Sequence, residues 1–201
     1  MGVVRTKILS APMSLTFGDA EFEQAVTLNV GNQAIKNVQH WPRLSTVIEA
    51  NLITTSVSSN VMAALRRMPQ LKKISFYRAQ FADNALAPLR NSKIESLNLE
   101  RSNATDADLE HIGTIKTLKS LWLGGYGTNI TDAGIRHLSE LTSLEELRLN
   151  RTKITNAGLD SLQELTKLKT LCLSRRRSIS TNDASRPCIH LTAMVCLRFP
   201  A

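Results

Sequence analysis

Three cysteines in 201 residues are too few and too unevenly placed to staple a fold. A chain of this length does not need them, because it buries roughly two thirds of its unfolded surface. The odd count argues against a disulfide framework and suits a reducing compartment. No apolar run approaches the roughly 20 residues that cross a bilayer. Arg5 and Lys7 begin like a signal peptide, but Pro12, Ser14, Thr16 and Asp19 interrupt the stretch after them, so a cytoplasmic protein is expected. Aromatic residues are scarce at 4%, with two tryptophans, so the position of each one carries information. Hydrophobic residues at 42% and charged residues at 21% describe a chain that folds.

A net charge of +8 raises nucleic acid as a partner. Its distribution weakens that reading. Residues 171–201 hold five arginines, no lysine and one acid, a balance of +4, while the first 170 residues mix 20 basic and 16 acidic side chains. Only Arg175, Arg176 and Arg177 form a dense run, and all three cysteines (Cys172, Cys188, Cys196) share this last stretch. The tail differs in composition from the body.

Internal repetition is the strongest signal. An apolar-x-x-apolar-x-apolar frame recurs as Leu71-Ile74-Phe76, Ile94-Leu97-Leu99, Leu118-Leu121-Leu123, Leu144-Leu147-Leu149 and Leu168-Leu171-Leu173, at spacings of 23, 24, 26 and 24 residues. Within a frame, Leu147 and Leu149 alternate with polar residues, the mark of a short strand with one buried face. Downstream, Leu159, Leu162, Leu165 and Leu168 recur every third residue, which suits a short helix or 3₁₀ turns. Thr105-Asp106, Thr131-Asp132 and Thr155-Asn156 stand where such helices begin, and Thr105 with Asp108 has capping-box spacing. One strand and one helix cannot enclose a core alone, but stacked copies share a continuous one.

On these residues the chain resembles a leucine-rich repeat protein. The corners Thr128-Asn-Ile-Thr-Asp-Ala-Gly-Ile135 and Thr152-Lys-Ile-Thr-Asn-Ala-Gly-Leu159 are similar to the ITDAGL corner of cysteine-containing repeats in F-box proteins and related bacterial repeats. The resemblance covers residues 71–173 and implies an α/β fold, a right-handed leucine-rich repeat solenoid with short parallel strands on the concave face and short helices on the convex face. Upstream, Ala25-Leu28-Val30 and Leu44-Val47 are read as two worn repeats, with Glu49 falling where the third apolar residue belongs. The expected organisation is an N-terminal segment (1–24), a repeat array (25–174, clear over 71–174 and degenerate over 25–70) and a basic, irregular tail (175–201). No F-box sequence precedes Ala25.

Such a solenoid presents four columns on its concave face. Lys72, Glu95, Lys119, Glu145 and Lys169 alternate in sign and read as a self-satisfied ladder. In the third column stand Ser75, Asn98, Trp122, Arg148 and Cys172, and in the fourth Tyr77, Glu100, Gly124, Asn150 and Ser174. Trp, Tyr and Arg dominate interface energetics. The expected partner-binding residues are therefore Tyr77, Asn98, Glu100, Trp122, Arg148 and Asn150.

Other motifs are set aside. Gly124-Gly-Tyr-Gly127 lacks the Lys-Ser/Thr of a phosphate loop and reads as a two-residue insertion. His111, His137 and Ser161 occupy matching positions on successive helices, too far apart for a catalytic set. Cys172, Cys188, His190 and Cys196 contain no C-x-x-C pair and match no zinc module. The sequons at Asn103, Asn129 and Asn150 arise from the repeat itself, and Met1–Thr6 fits only a loose myristoylation pattern.

The tail has two readings: a degraded final strand around Leu191-Met194-Cys196, or an irregular ending, which Pro187 and the missing helical half favour. No cofactor, metal or enzymatic activity is expected. The leading functional reading is a protein–protein interaction module that binds through the concave face. Its rivals are electrostatic binding of nucleic acid or another acidic partner by Arg175–Arg177, and a fragment of a larger repeat protein without activity of its own.

Overall fold

The computed structural model describes residues 7–10, 25–31, 38, 45–126, 128–173 and 188–190. Its main feature is a nine-stranded sheet built from β1 (Lys7–Ser10), β2 (Ala25–Gly31), β3 (Glu49–Ile53), β5 (Lys73–Ser75), β7 (Ser96–Asn98), β8 (Ser120–Trp122), β9 (Glu146–Arg148), β10 (Thr170–Cys172) and β11 (Cys188–His190). Neighbours are parallel from β1 to β10, and β11 closes the edge antiparallel to β10. A second, two-stranded sheet pairs β4 (Ser56–Val57) with β6 (Gln80–Phe81). Helices α1 (Ser59–Arg66), α2 (Asp106–Ile112), α3 (Asp132–Ile135) and α4 (Asn156–Asp160) return the chain between strands. A mostly parallel sheet with short helices is the α/β arrangement that the repeats predict.

The frames explain why the strands stay so short. Every frame position from Leu71 to Leu171 is buried, and Leu173 packs half-buried against the same cluster. Ile74, Leu97, Leu121, Leu147 and Leu171 stand side by side in register. The helices turn Leu109, Ile112, Ile135 and Leu159 into this core. Only three residues per strand are needed to carry one inward leucine, and the intervening residues face away from the core. Among the described residues no helix is long and apolar enough to cross a membrane.

Two expectations change. The second worn repeat is set three residues further along than Leu44-Val47: β3 pairs Ala50 with Leu28 on one side and Ile74 on the other. The frame is Val47-Ala50-Leu52, with all three side chains buried. Glu49 then leaves the core position that made the repeat look worn and faces outward beside Lys73. Cys172 is disulfide-bonded, contrary to the expectation of free thiols, and the β10–β11 register sets its backbone opposite Cys188. Arg175–Arg177 and the frame at Leu191-Met194-Cys196 lie outside the described residues.

The Thr-Asp corners show how the repeats lock together. Asp106 accepts hydrogen bonds from the Thr131 backbone N–H (2.8 Å) and hydroxyl (2.5 Å) of the next repeat. Asp132 does the same for Thr155, at 2.7 and 2.5 Å. Thr131 and Thr155 in turn cap α3 and α4 through the N–H groups of Ala133 and Ala157. A Cβ on Gly134 or Gly158 would collide with the Asp106 or Asp132 carboxylate, so glycine makes room for the neighbour's aspartate. At the first corner Asp108 occupies the glycine's place, and Thr105 forms the predicted capping box with it.

Candidate functional site

The outward face of the sheet divides into two bands. On the side where strands begin, the alternating ladder forms as ion pairs: Lys72–Glu95 at 3.0 Å, Lys119–Glu95 at 2.8 Å and Lys169–Glu145 at 2.5 Å. The hydrogen bonds from Lys119 and Lys72 hold the Glu95 carboxyl down at about 2, against a usual 4.5. Lys119 reaches Glu95 and forms no bridge to Glu145, so the ladder is two separate groups rather than one continuous rail. This band satisfies itself.

The second band lies along the strand ends and centres on Trp122. Parallel register places Asn98 and Arg148 on either side of it. The Arg148 guanidinium stacks 4.0 Å from the centre of the indole, within the distance at which a ring attracts a cation. Arg148 Nε donates to Glu146 Oε1 at 2.7 Å, and Ser120 Oγ donates to Glu146 Oε2 at 3.0 Å. Burial alone would raise the Glu146 carboxyl, but these donors outweigh it and hold the group below its usual range. Trp122 Nε1 approaches that carboxylate closely enough to favour its charge, yet completes no hydrogen bond and is shielded from water. A tryptophan is thus pinned half-exposed at mid-sheet by a guanidinium that is itself held in place.

The remaining expected residues surround this centre. Asn98 Oδ1 accepts the Glu100 backbone N–H at 2.9 Å. Glu100 is half-buried, and desolvation raises its carboxyl despite the nearby charges of Arg148 and Arg101. Asn150 receives the Gly125 N–H on its carbonyl at 2.8 Å. Tyr77 lies at the far end, where the Arg101 guanidinium sits 5.6 Å from its ring centre. The structure therefore gathers Asn98, Glu100, Trp122, Arg148 and Asn150 across three adjacent strands, with Tyr77 one strand further out.

Sequence reasoning did not single out Glu146, Ser120, Arg101 or Arg151. Ser120 and Glu146 stand one position before Leu121 and Leu147 on the strands of Trp122 and Arg148; the Glu146 carboxylate reaches Arg148, and the Ser120 hydroxyl reaches Glu146. Tyr126 and Arg151 form a further stack at 3.8 Å beside the inserted glycines. Those glycines serve the backbone: Gly124 packs against the Asn150 main chain, and Gly125 has φ +120° with Arg101 N 2.8 Å from where its Cβ would be.

His111 Nε2 pairs with Asn84 Oδ1 at 2.7 Å, while His137 is exposed. No cluster of metal-binding side chains occurs among the described residues.

The chain matches no family model and no curated protein sequence. Its fold has counterparts among solved structures. An internalin, inlF, of Listeria monocytogenes aligns over 81% of this chain at 20% identity and a TM-score of 0.61. The internalin C2 of the same organism aligns over 84% at 17% identity and a TM-score of 0.55. The chain spans 44% of the first structure and 81% of the second. At these identities the likeness is one of fold: the architecture is that of the leucine-rich repeat internalins.

Proposed function

We propose that this chain is a non-catalytic recognition module that binds a protein partner through the outward, concave face of its repeat sheet. The contact residues are Tyr77, Asn98, Glu100, Trp122, Arg148 and Asn150. The observation that carries the reading is Trp122 itself. A tryptophan in a chain with 4% aromatics stands half-exposed at mid-sheet, stacked on Arg148, with a shielded and unbonded indole N–H. Placed there, it contributes nothing to the core behind the sheet. Against a partner, tryptophan and arginine are the residue types that most often carry binding energy. The internalin-like fold supports a protein partner as the class. The ITDAGL-type corner, with its aspartate-to-threonine lock, belongs to the scaffold that holds this face in register.

The test is capture of partners from nuclease-treated source lysate with wild type and Trp122→Ala. A stoichiometric protein held by wild type and weakened at least about tenfold by the variant, with unchanged circular dichroism, supports the proposal. Equal capture by both proteins rejects it. A complex lost on nuclease treatment moves the function to the basic tail.

A further inference from the structure

A further column, outside the four of the concave face, runs just beyond the strand ends, two residues after the last apolar anchor of successive repeats: Thr54, Arg78, Arg101, Gly125 and Arg151. Backbone hydrogen bonds tie it to the neighbouring repeats, from Thr54 N to Tyr77 O (2.9 Å), Arg78 N to Glu100 O (2.9 Å), Arg101 N to Gly124 O (2.8 Å) and Gly125 N to Asn150 O (2.8 Å). Every member has positive φ, between 54° and 61° for the non-glycines and 120° for Gly125. Glycine or asparagine suits that backbone, and arginine is disfavoured there. Arginine nevertheless fills three of the five places, so the backbone does not account for it.

Nor do ion pairs. Among the described residues, Arg78, Arg101 and Arg151 donate no side-chain hydrogen bond and form no ion pair, whereas the ladder on the other side of the sheet is satisfied. Two of the three instead lie over rings, Arg101 5.6 Å from the centre of Tyr77 and Arg151 3.8 Å from that of Tyr126, and Nη1 of Arg151 is shielded and unpartnered. A guanidinium lying over a ring keeps its outward N–H donors for a carboxylate, which for Arg151 are those of Nε and Nη2 rather than the shielded Nη1.

Resting on the concave-face reading, we infer that this arginine rim binds an extended acidic peptide segment of the partner, with carboxylates three residues apart taking Arg101 and Arg151. The spacing comes from strand geometry. Arg101 and Arg151 are two repeats apart, about 10 Å, and a peptide in extended polyproline II geometry covers that distance in about three residues at roughly 3.1 Å each, returning to the same face every third residue. Between them lie Gly125, which offers no charge, and the adjacent Glu100, which is acidic. A peptide can place neutral residues there. A nucleic-acid single strand carries a phosphate at every nucleotide and would set one against Glu100.

The experiment is fluorescence anisotropy at low ionic strength with a labelled peptide of the form (Gly-Glu-Gly)n, which repeats glutamate every third residue. A lysine-for-glutamate peptide and a labelled oligothymidine are run in parallel. Wild type is expected to bind the glutamate peptide at least tenfold more tightly than either comparator. Arg101→Asn with Arg151→Asn is expected to weaken it about tenfold, while Arg136→Asn, an exposed arginine on the helical side, leaves it unchanged. Asparagine suits positive φ, so these variants keep the fold. Arg151→Lys, which keeps the charge and loses the fork, is expected to fall between them.

Affinity for the glutamate peptide unchanged by the double substitution overturns the inference, as does tighter binding of oligothymidine. The concave-face reading is tested separately by the Trp122→Ala capture. A partner lost with Trp122→Ala but retained by the double arginine variant rejects the acidic segment and leaves the face standing. A partner retained by Trp122→Ala rejects the face whatever the peptide does.

Discussion

Asp132 of one repeat occupies the space that a side chain on Gly158 of the next repeat would need. The same carboxylate accepts both polar hydrogens of Thr155, which begins the helix that Gly158 belongs to. The Thr-Asp-x-Gly corner is thus one device spread over two repeats: the aspartate reaches forward, and the glycine lets it in. Asp106 and Gly134 repeat the arrangement one step earlier.

Gly158→Ala should therefore destabilise the chain by about 2 kcal/mol, as overpacking against a fixed neighbour does. Asp132→Ala should cost about 1–3 kcal/mol by stripping Thr155 of its acceptors. The two residues share one space, so the double variant should be less destabilised than the sum of the singles. Thermal or urea unfolding of the four proteins measures this coupling. Additive costs would mean that the aspartate and glycine act independently.

The lysine–glutamate ladder predicts a particular acid response. Glu95 is held at about 2 in the folded chain by Lys119 and Lys72. Its carboxyl is depressed on folding, so its contribution is complete above about 4.5 and is lost as pH falls toward about 2. Glu145 and Glu146 are shifted in the same direction, by Lys169 for Glu145 and by Arg148 and Ser120 against burial for Glu146. Glu100 acts oppositely, because burial raises its carboxyl, so its contribution is present at low pH and declines as it ionises. Glu95→Gln should flatten the fall in melting temperature between pH 4.5 and 2 relative to wild type. High salt should shrink the difference between the two proteins, since these pairs are exposed. An identical pH profile for wild type and variant would remove Glu95 from the account.

The repeats were legible because leucine and isoleucine mark nearly every inward position from Leu71 to Leu173 at close to constant spacing. The frame Val47-Ala50-Leu52 was not, because alanine is a weak hydrophobic signal and Leu44-Val47 offered a competing register three residues earlier. Only strand pairing decides between them. The strand columns put Trp122 beside Arg148 correctly, since parallel register fixes which residues are neighbours. Glu146 was missed because a column diagram treats side chains as pointing straight out. Arg148 and Glu146 lie on the same strand and meet by leaning toward each other. The arginine rim was invisible for a different reason: positive φ leaves no mark in a hydrophobic pattern, and arginine is not the residue from which it would be guessed.

The stack of Arg148 on Trp122 gives a prediction that needs no partner. The guanidinium shields one face of the indole, and Glu146 steadies the guanidinium through Nε. Arg148→Gln should remove the cover without touching a core leucine, because residue 148 faces away from the buried cluster while Leu147 and Leu149 enter it. In a Trp41→Phe background, where Trp122 is the sole tryptophan, emission should shift to longer wavelength and acrylamide should quench it more strongly. Glu146→Gln should produce a smaller change in the same direction, since it frees the guanidinium without deleting it. Both effects should appear with the melting temperature lowered by only a few degrees, as for loss of an exposed pair of about 1 kcal/mol or less. Unaltered quenching in Arg148→Gln would show that the indole is held by its strand neighbours alone, and that the outward face around Trp122 owes its shape to the sheet rather than to this cation.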